Sequence, residues 1–408
     1  MTIYLKLAWR NIFRNKRRTF IAGTAIGIGL AALIYVDALI IGMEKNMVES
    51  ATSSFMGEGQ IHQADFRKEF AVDKTILNYR QVIDSLQKDP QVAASAPRVM
   101  TLAMVTSPAN VGAVTLVGID PESERKLSEI DDVITEGVYF DGDDSHDIVI
   151  GAKLAEILEV GLGDRLVLTA SEAGTGDLSQ DLFRVSGIYH FNIREMDRGF
   201  AFIRIKKAQE MLGIGDNIHE LALDLKDSKV ARDPKNPFWA RYSVDGNQAI
   251  GWAEILPALD MAFKVSEFST MILAFILFGV IALGIINTLF MSLHERMFEF
   301  GVLRAVGTRP YTMGRLIMFE AASLAVISIV LGMILGFIIT FIYTKIGIDY
   351  RGIEFAGATF RDMLYPVMTV MQFVKYPIWV FIITTLIALY PARFASKMRP
   401  AEAMRRSF

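Results

Sequence analysis

The chain has 408 residues, of which 52% are hydrophobic and 21% charged, with a mean hydropathy of +0.34. This excludes an ordinary soluble globule and calls for a membrane part joined to a sizeable water-facing part. The formal net charge of −3 gives no global attraction for nucleic acid, and the absence of cysteine excludes disulfides, thiolate metal sites, a cysteine nucleophile and cysteine-linked lipid.

Residues 1–18 carry Lys6, Arg10, Arg14, Lys16, Arg17 and Arg18 without an acid, so the positive-inside rule places the N-terminus in the cytoplasm. Leu5, Trp9, Ile12 and Phe13 share one side of a helix, with Lys6, Arg10 and Arg14 on the other, which predicts a helix lying in the membrane interface. Residues 19–43 form the first span, long enough for the ~30 Å hydrocarbon core and too long for a signal-peptide core, hence an uncleaved anchor. Asp37 is the acid inside that run, and an intramembrane acid is a candidate for a substrate path. Counted from Thr19 it stands ~27 Å up, near the water boundary. Gly23 with Gly27, and Gly332 with Gly336 in the third span, make two G-x-x-x-G faces, candidates for helix packing or for a subunit interface.

Residues 44–267 alternate helical and strand-like patterns, predicting a large α+β domain inserted between the first two of four transmembrane helices. Its ends, Met43 to Phe55 and Ala258 to Glu267, read as helical stalks. A helix capped by Asp73 is expected to run to Lys88 and stop at Asp89 and Pro90. Strands are expected at Ala113 to Ile119, Arg165 to Thr169, Leu182 to Tyr189, Gly199 to Ile205 and Ile218 to Leu225. Helices are expected at Gly151 to Val160 and Lys206 to Leu212. Ser85 and Lys88 have the spacing of some acyl enzymes but sit on an ordinary amphipathic helix, so no catalytic residue is expected. The acidic run Asp141, Asp143, Asp144, His146 and Asp147 puts histidine where a calcium loop needs glycine. It reads as a solvated turn, and no metal or cofactor site is expected.

Further spans follow at residues 268–293, 316–343 and 376–394, with Asn287 in the second a candidate for an interhelical hydrogen bond or the substrate path. The loop 294–315 carries Arg296, Arg304, Arg309 and Arg315, and the tail 395–408 with the end of the last span carries Arg393, Lys397, Arg399, Arg405 and Arg406, so both belong on the N-terminal side of the membrane. The loop 344–375 has mixed charge and lies with residues 44–267 on the other side. His294 to Pro310 (HERMFEFGVLRAVGTRP) reads as a short helix stopped by Gly307 and Pro310.

Glu295 to Gly307 (ERMFEFGVLRAVG), Met318 to Ala321 (MFEA) and Tyr390 to Arg405 (YPARFASKMRPAEAMR) resemble the permeases of the MacB and FtsX superfamily of ABC transporters. Val117 to Pro121 (VGIDP), Leu127 to Val138, Ile148 to Asp164, Phe183 to Ile188 (FRVSGI) and Phe200 to Leu212 resemble the lipoprotein-releasing LolC and LolE type within it. The resemblance implies a bacterial inner-membrane permease whose large domain is periplasmic. It implies that Glu295, Arg296, Phe298, Glu299, Gly301, Leu303, Arg304, Ala305 and Gly307 contact a cytoplasmic ATPase dimer, which binds ATP and Mg. It implies a second permease, identical or paralogous, with spans one and two lining a central cavity. It also implies extraction of lipoprotein or a related amphiphile through helical mechanotransmission. A peptide or drug exporter of the MacB type, or a signalling subunit controlling a periplasmic hydrolase, is the alternative. No Gly-Lys dipeptide occurs, so the phosphate-cradling loop must come from another chain. The LolC and LolE type can carry a hook that docks a periplasmic carrier, whereas Ala170 to Gln180 here is short, polar and free of proline and aromatics.

Overall fold

The computed structural model describes residues 7–11, 13–140, 142, 144–355, 358–360 and 363–397. Leu5, Lys6 and Ile12 of the predicted interfacial helix, Asp141 and Asp143 of the acidic turn, and Arg399, Arg405 and Arg406 of the tail lie outside the described residues. The chain divides into two compact units. One takes in Met1–Lys45, Lys264–Asp349 and Met363–Phe408, and the other Asn46–Phe263 and Tyr350–Asp362.

In chain order, helix α1 (Lys16–Ala51) leads into a single π-helical turn (Thr52–Met56). The second unit follows with β1 (Gly59–Gln63), α2 (Tyr79–Lys88), β2 (Val92–Thr106), β3 (Val111–Ile119), β4 (Ile134–Gly137), β5 (Asp147–Gly151), α3 (Ala152–Leu158), β6 (Arg165–Ser171), β7 (Leu178–Tyr189), β8 (Phe200–Arg204), α4 (Ile205–Leu212), β9 (Glu220–Leu225) and β10 (Asn247–Gly251), together with shorter helices. Helices α5 (Pro257–Glu295), α6 (Met297–Ala305), α7 (Pro310–Ile346) and α8 (Gln372–Ser396) complete the chain.

Four of these helices, α1, α5, α7 and α8, are long and apolar enough to cross a membrane. Each predicted span lies inside one of them; the predicted stalk Ala258 to Glu267 lies inside α5, whereas Met43 to Phe55 continues α1 to Ala51 and then enters the π turn. Ile26, Leu30, Leu33 and Ile34 of α1 pack with Ile285, Leu324 and Val380 in one apolar core. The most apolar window of α1 is 44% buried and that of α5 only 11%, so α1 is the central helix and α5 turns most of its surface outward.

The second unit is built on one mixed sheet in the order β10-β1-β9-β2-β3-β8-β5-β7-β4, with β6 pairing both β2 and β7. That last pairing closes β2, β3, β8, β5, β7 and β6 on themselves, which removes the open edges a flat sheet would leave. Their inward residues, among them Val117, Val149, Tyr189 and Phe202, form the core. β3 with β8 and β5 with β7 run parallel, and the remaining pairings are antiparallel.

Two sequence expectations need correction, and one strand was not foreseen. The helix ending at Lys88 begins at Tyr79, not after Asp73, because the Ile76 N–H is bonded at 2.8 Å to the carbonyl of Ile218, which holds that segment extended. β2 (Val92–Thr106) was not among the expected strands, and it contains Pro97. The residue sits just before β3 begins to pair at Arg98, where only β9 borders the strand and a missing donor is tolerated. Pro310 does not stop α6 but opens α7 at its first position, while Gly307, at φ +101°, makes the turn between them. Ala170 to Gln180 is the tip of the β6–β7 hairpin.

Candidate functional site

The segment that resembles a coupling helix is α6, and its sequence decides how it sits. Phe300, 1% exposed, packs with Leu293, Met313, Leu316 and Ile317, and Gly301 is buried beside it. The opposite side leaves Phe298, Val302 and Leu303 exposed, at 51%, 40% and 43%. Of the residues expected to meet a partner, Phe298 and Leu303 are therefore presented outward with Ala305 and Gly307, whereas Gly301 and the mostly buried Arg296 face inward. Glu295 ends α5 and is exposed. Arg304 donates to the Thr308 carbonyl at 3.2 Å and so closes the turn that Gly307 opens.

Polar contacts hold α6 in place. Arg296 Nη1 donates to Glu320 Oε1 at 2.5 Å, and Arg296 Nε donates to Glu299 Oε2 at 3.3 Å. The Arg296 guanidinium also lies 4.9 Å from the Phe300 ring centre. From the N-terminal segment, Asn11 Nδ2 donates to Glu320 Oε1 at 2.8 Å and Arg14 Nη1 to Glu299 Oε1 at 2.7 Å. The Arg14 hydrogen bond holds the Glu299 carboxyl below the usual range. Sequence reasoning missed the roles of Asn11, Arg14 and Glu320. The available signal was Glu320 itself, an acid near the start of an apolar run that has to find a cation.

The two glycine faces lie against each other within the chain. A Cβ on Gly27 would stand 3.2 Å from the Gly332 nitrogen and the Ser328 carbonyl, and one on Gly332 only 2.8 Å from the Gly27 carbonyl. Gly336 approaches Ala31 and Ile34, and Gly23 meets Ser328 and Leu331 at ordinary contact distance. These glycines let α1 and α7 touch backbone to backbone. Asp37 accepts a hydrogen bond from Tyr376 Oη at 2.6 Å, tying α1 to α8. Asn287 is exposed on the wall of a cavity of about 480 Å³ between α1 and α5, with Ala25, Gly29, Gly284 and Thr288 on the same lining and Arg17 at one end.

In the second unit Arg98 is fully buried. It donates to Glu124 at 2.6 and 3.0 Å, to Glu220 at 3.0 Å and to the Phe55 carbonyl at 2.5 Å. Burial alone would discourage its charge, but the two carboxylates more than offset that and keep it a cation. His219 Nδ1 accepts the Met100 N–H at 3.0 Å, which leaves Nε2 to donate to the Val72 carbonyl at 2.8 Å and fixes a neutral ring. Burial pushes the pKa of His219 and of His62 down. Among the described residues no group of three or more His, Cys, Asp and Glu gathers in a way that could hold a metal ion.

A profile of the MacB-like periplasmic core domain matches residues 19–233, and one of the FtsX-like permease C-terminal region matches residues 271–400. The lipoprotein-releasing system transmembrane protein LolC of Neisseria meningitidis is 24% identical over 421 residues, covering 98% of this chain and 97% of its own. LolE of Haemophilus influenzae is 22% identical over 402 residues, covering 93% of each. The macrolide export ATP-binding/permease protein MacB of Campylobacter jejuni is 21% identical over 422 residues, covering 98% of this chain but 60% of its own length.

Proposed function

The chain belongs to the family of permeases with a MacB-like periplasmic core domain and an FtsX-like C-terminal region, and from that premise we propose that it moves an acylated amphiphile, lipoprotein first among them, out of the inner membrane. It is a permease subunit of an ABC transporter, with four membrane-spanning helices and a periplasmic domain. ATP and Mg are bound by a separate ATPase dimer, in keeping with the missing Gly-Lys signature and with the greater length of the relative whose name includes ATP binding. Both termini and α6 face the cytoplasm, as their Arg and Lys content favours. A second permease, identical or paralogous, stands against the outward surface of α5 and the α1–α5 cavity, with Asn287 on the substrate path.

The observation that carries the coupling is the two-sidedness of α6. One side is fastened to the span helices through Phe300 and the Arg296–Glu320 pair, and the other offers Phe298, Val302 and Leu303 to a partner groove. Displacement of such a helix passes into α1 and α5, which run unbroken from Lys16 to Ala51 and from Pro257 to Glu295. Cargo is tested by copurifying the permease with its ATPase from native membrane and identifying bound molecules by mass spectrometry. Acylated protein is the expected finding. Unacylated peptides or drugs alone would move the assignment to an exporter of the MacB type, and an empty complex bound to a wall hydrolase would move it to a signalling subunit.

A further inference from the structure

A cavity of about 240 Å³ lies inside the periplasmic unit, walled by Phe55, Phe70, Met100, Met196, Phe200 and Leu256. Among its polar liners Gln60, Arg67, Ser54 and Glu220 are engaged by other partners, and Glu195 is exposed. Gln60 Nε2 donates to the Met56 carbonyl at 2.9 Å, and Gln60 Oε1 accepts from Arg67. Ser54 donates to the Ala51 carbonyl at 3.1 Å, and Glu220 Oε1 accepts from Arg98. Water held in a cavity needs two to four polar partners, and a site whose polar groups are already satisfied favours an apolar occupant. The three methionines, Met56, Met100 and Met196, give the wall a shape that can adapt to a flexible chain.

Position in the chain narrows the occupant. Ser50, Ala51, Ser54, Phe55 and Met56, which line the cavity, are the residues through which α1 ends, and Leu256 immediately precedes α5. Where the cavity begins, α1 widens into its π turn, a distortion that recurs at functional sites. Phe55 is fixed there, with the Arg98 guanidinium 3.8 Å from its ring centre and Phe200 and Phe202 edge-on at 5.6 and 5.3 Å. The wall is thus mostly apolar, and part of it is built from the residues at which α1 ends and α5 begins.

We propose that this cavity binds one alkyl chain of the acylated cargo, as a holding site separate from the cavity between α1 and α5. The assignment rests on the amphiphile reading for the source of the chain, and its test runs without nucleotide, so that failure of transport and failure of this site are told apart. The full-length permease with its ATPase, in nanodiscs, is photolabelled with a palmitoylated lipopeptide carrying a diazirine on the acyl chain, and in parallel with a phosphatidylcholine carrying the same group. Adducts from the lipopeptide are expected on peptides containing Met100, Met196 and Phe200. They should be lost in Met196→Trp, which fills the cavity, and retained in Met196→Leu, which controls for folding. Lipopeptide adducts confined to the span helices would overturn the proposal, as would equal labelling of the cavity by phosphatidylcholine.

Discussion

Arg98 and Arg296 each hold two glutamates, but in opposite settings. Arg98, Glu124 and Glu220 are sealed inside the periplasmic unit, with side-chain exposures of 0%, 0% and 3%. Around Arg296 exposure rises from 7% at Glu320 and 11% at Arg296 to 43% at Glu299 and 61% at Arg14. The first cluster has no alternative to its present pairing, because an unpaired charge there would meet no water. The second is firm where it meets α7 and loose where it meets solvent, the gradient expected of a joint that moves on a fixed base. One cluster is sealed on every side, and the other fastens a short helix at its buried end and leaves the rest of the network at the surface.

The sharpest way to break that contrast is Arg98→Met. Two buried carboxylates lose their cation, and the periplasmic unit should lose on the order of 3–5 kcal/mol, read as a lowered denaturant midpoint. A loss near zero would mean the cluster is not sealed. Glu320→Gln comes next. Arg296 keeps Glu299, so the loss should be smaller, roughly 1–3 kcal/mol for a weakened charged hydrogen bond, seen as a modest fall in thermal stability of the detergent-solubilised protein. A drop as large as that for Arg98→Met would erase the distinction between the two clusters.

The smallest expected effect is on pH. His62 and His219 are held neutral, with folded pKa values below the ordinary ~6.5. Below that value the unfolded chain binds more protons than the folded one, so stability declines as pH falls from about 6.5 towards the depressed folded values. Denaturation of the protein between neutral and mildly acidic pH should show that slope, reduced in His219→Gln. A flat profile would mean that neither ring is kept neutral by the fold.

How much of this was legible in sequence follows from the range of the forces involved. The spans declare themselves through long apolar runs, and β3, β6, β7 and β8 through short ones, because both signals are local. β2 was missed although Pro97 within it is tolerated where only β9 lies beside it, and the start of α2 was misplaced because a hydrogen bond from Ile76 to Ile218 holds the preceding segment. Gly27 and Gly332 were visible as small-residue faces, but that each fills the other's groove is a fact of the fold. In α6 the pattern gave the helix, and the resemblance implied the partner contact proposed for it. Which side faces outward depends on Phe300 and Arg296 finding α7, which sequence spacing does not encode.

In the proposed coupling the exposed side of α6 receives motion from a separate ATPase. It is tested most directly by the cargo-stimulated ATPase rate of the reconstituted complex carrying Phe298→Ala with Leu303→Ala. Stimulation should disappear while the periplasmic unit stays folded and the ATPase subunit keeps its own basal turnover. Stimulation equal to that of the unaltered complex would contradict it.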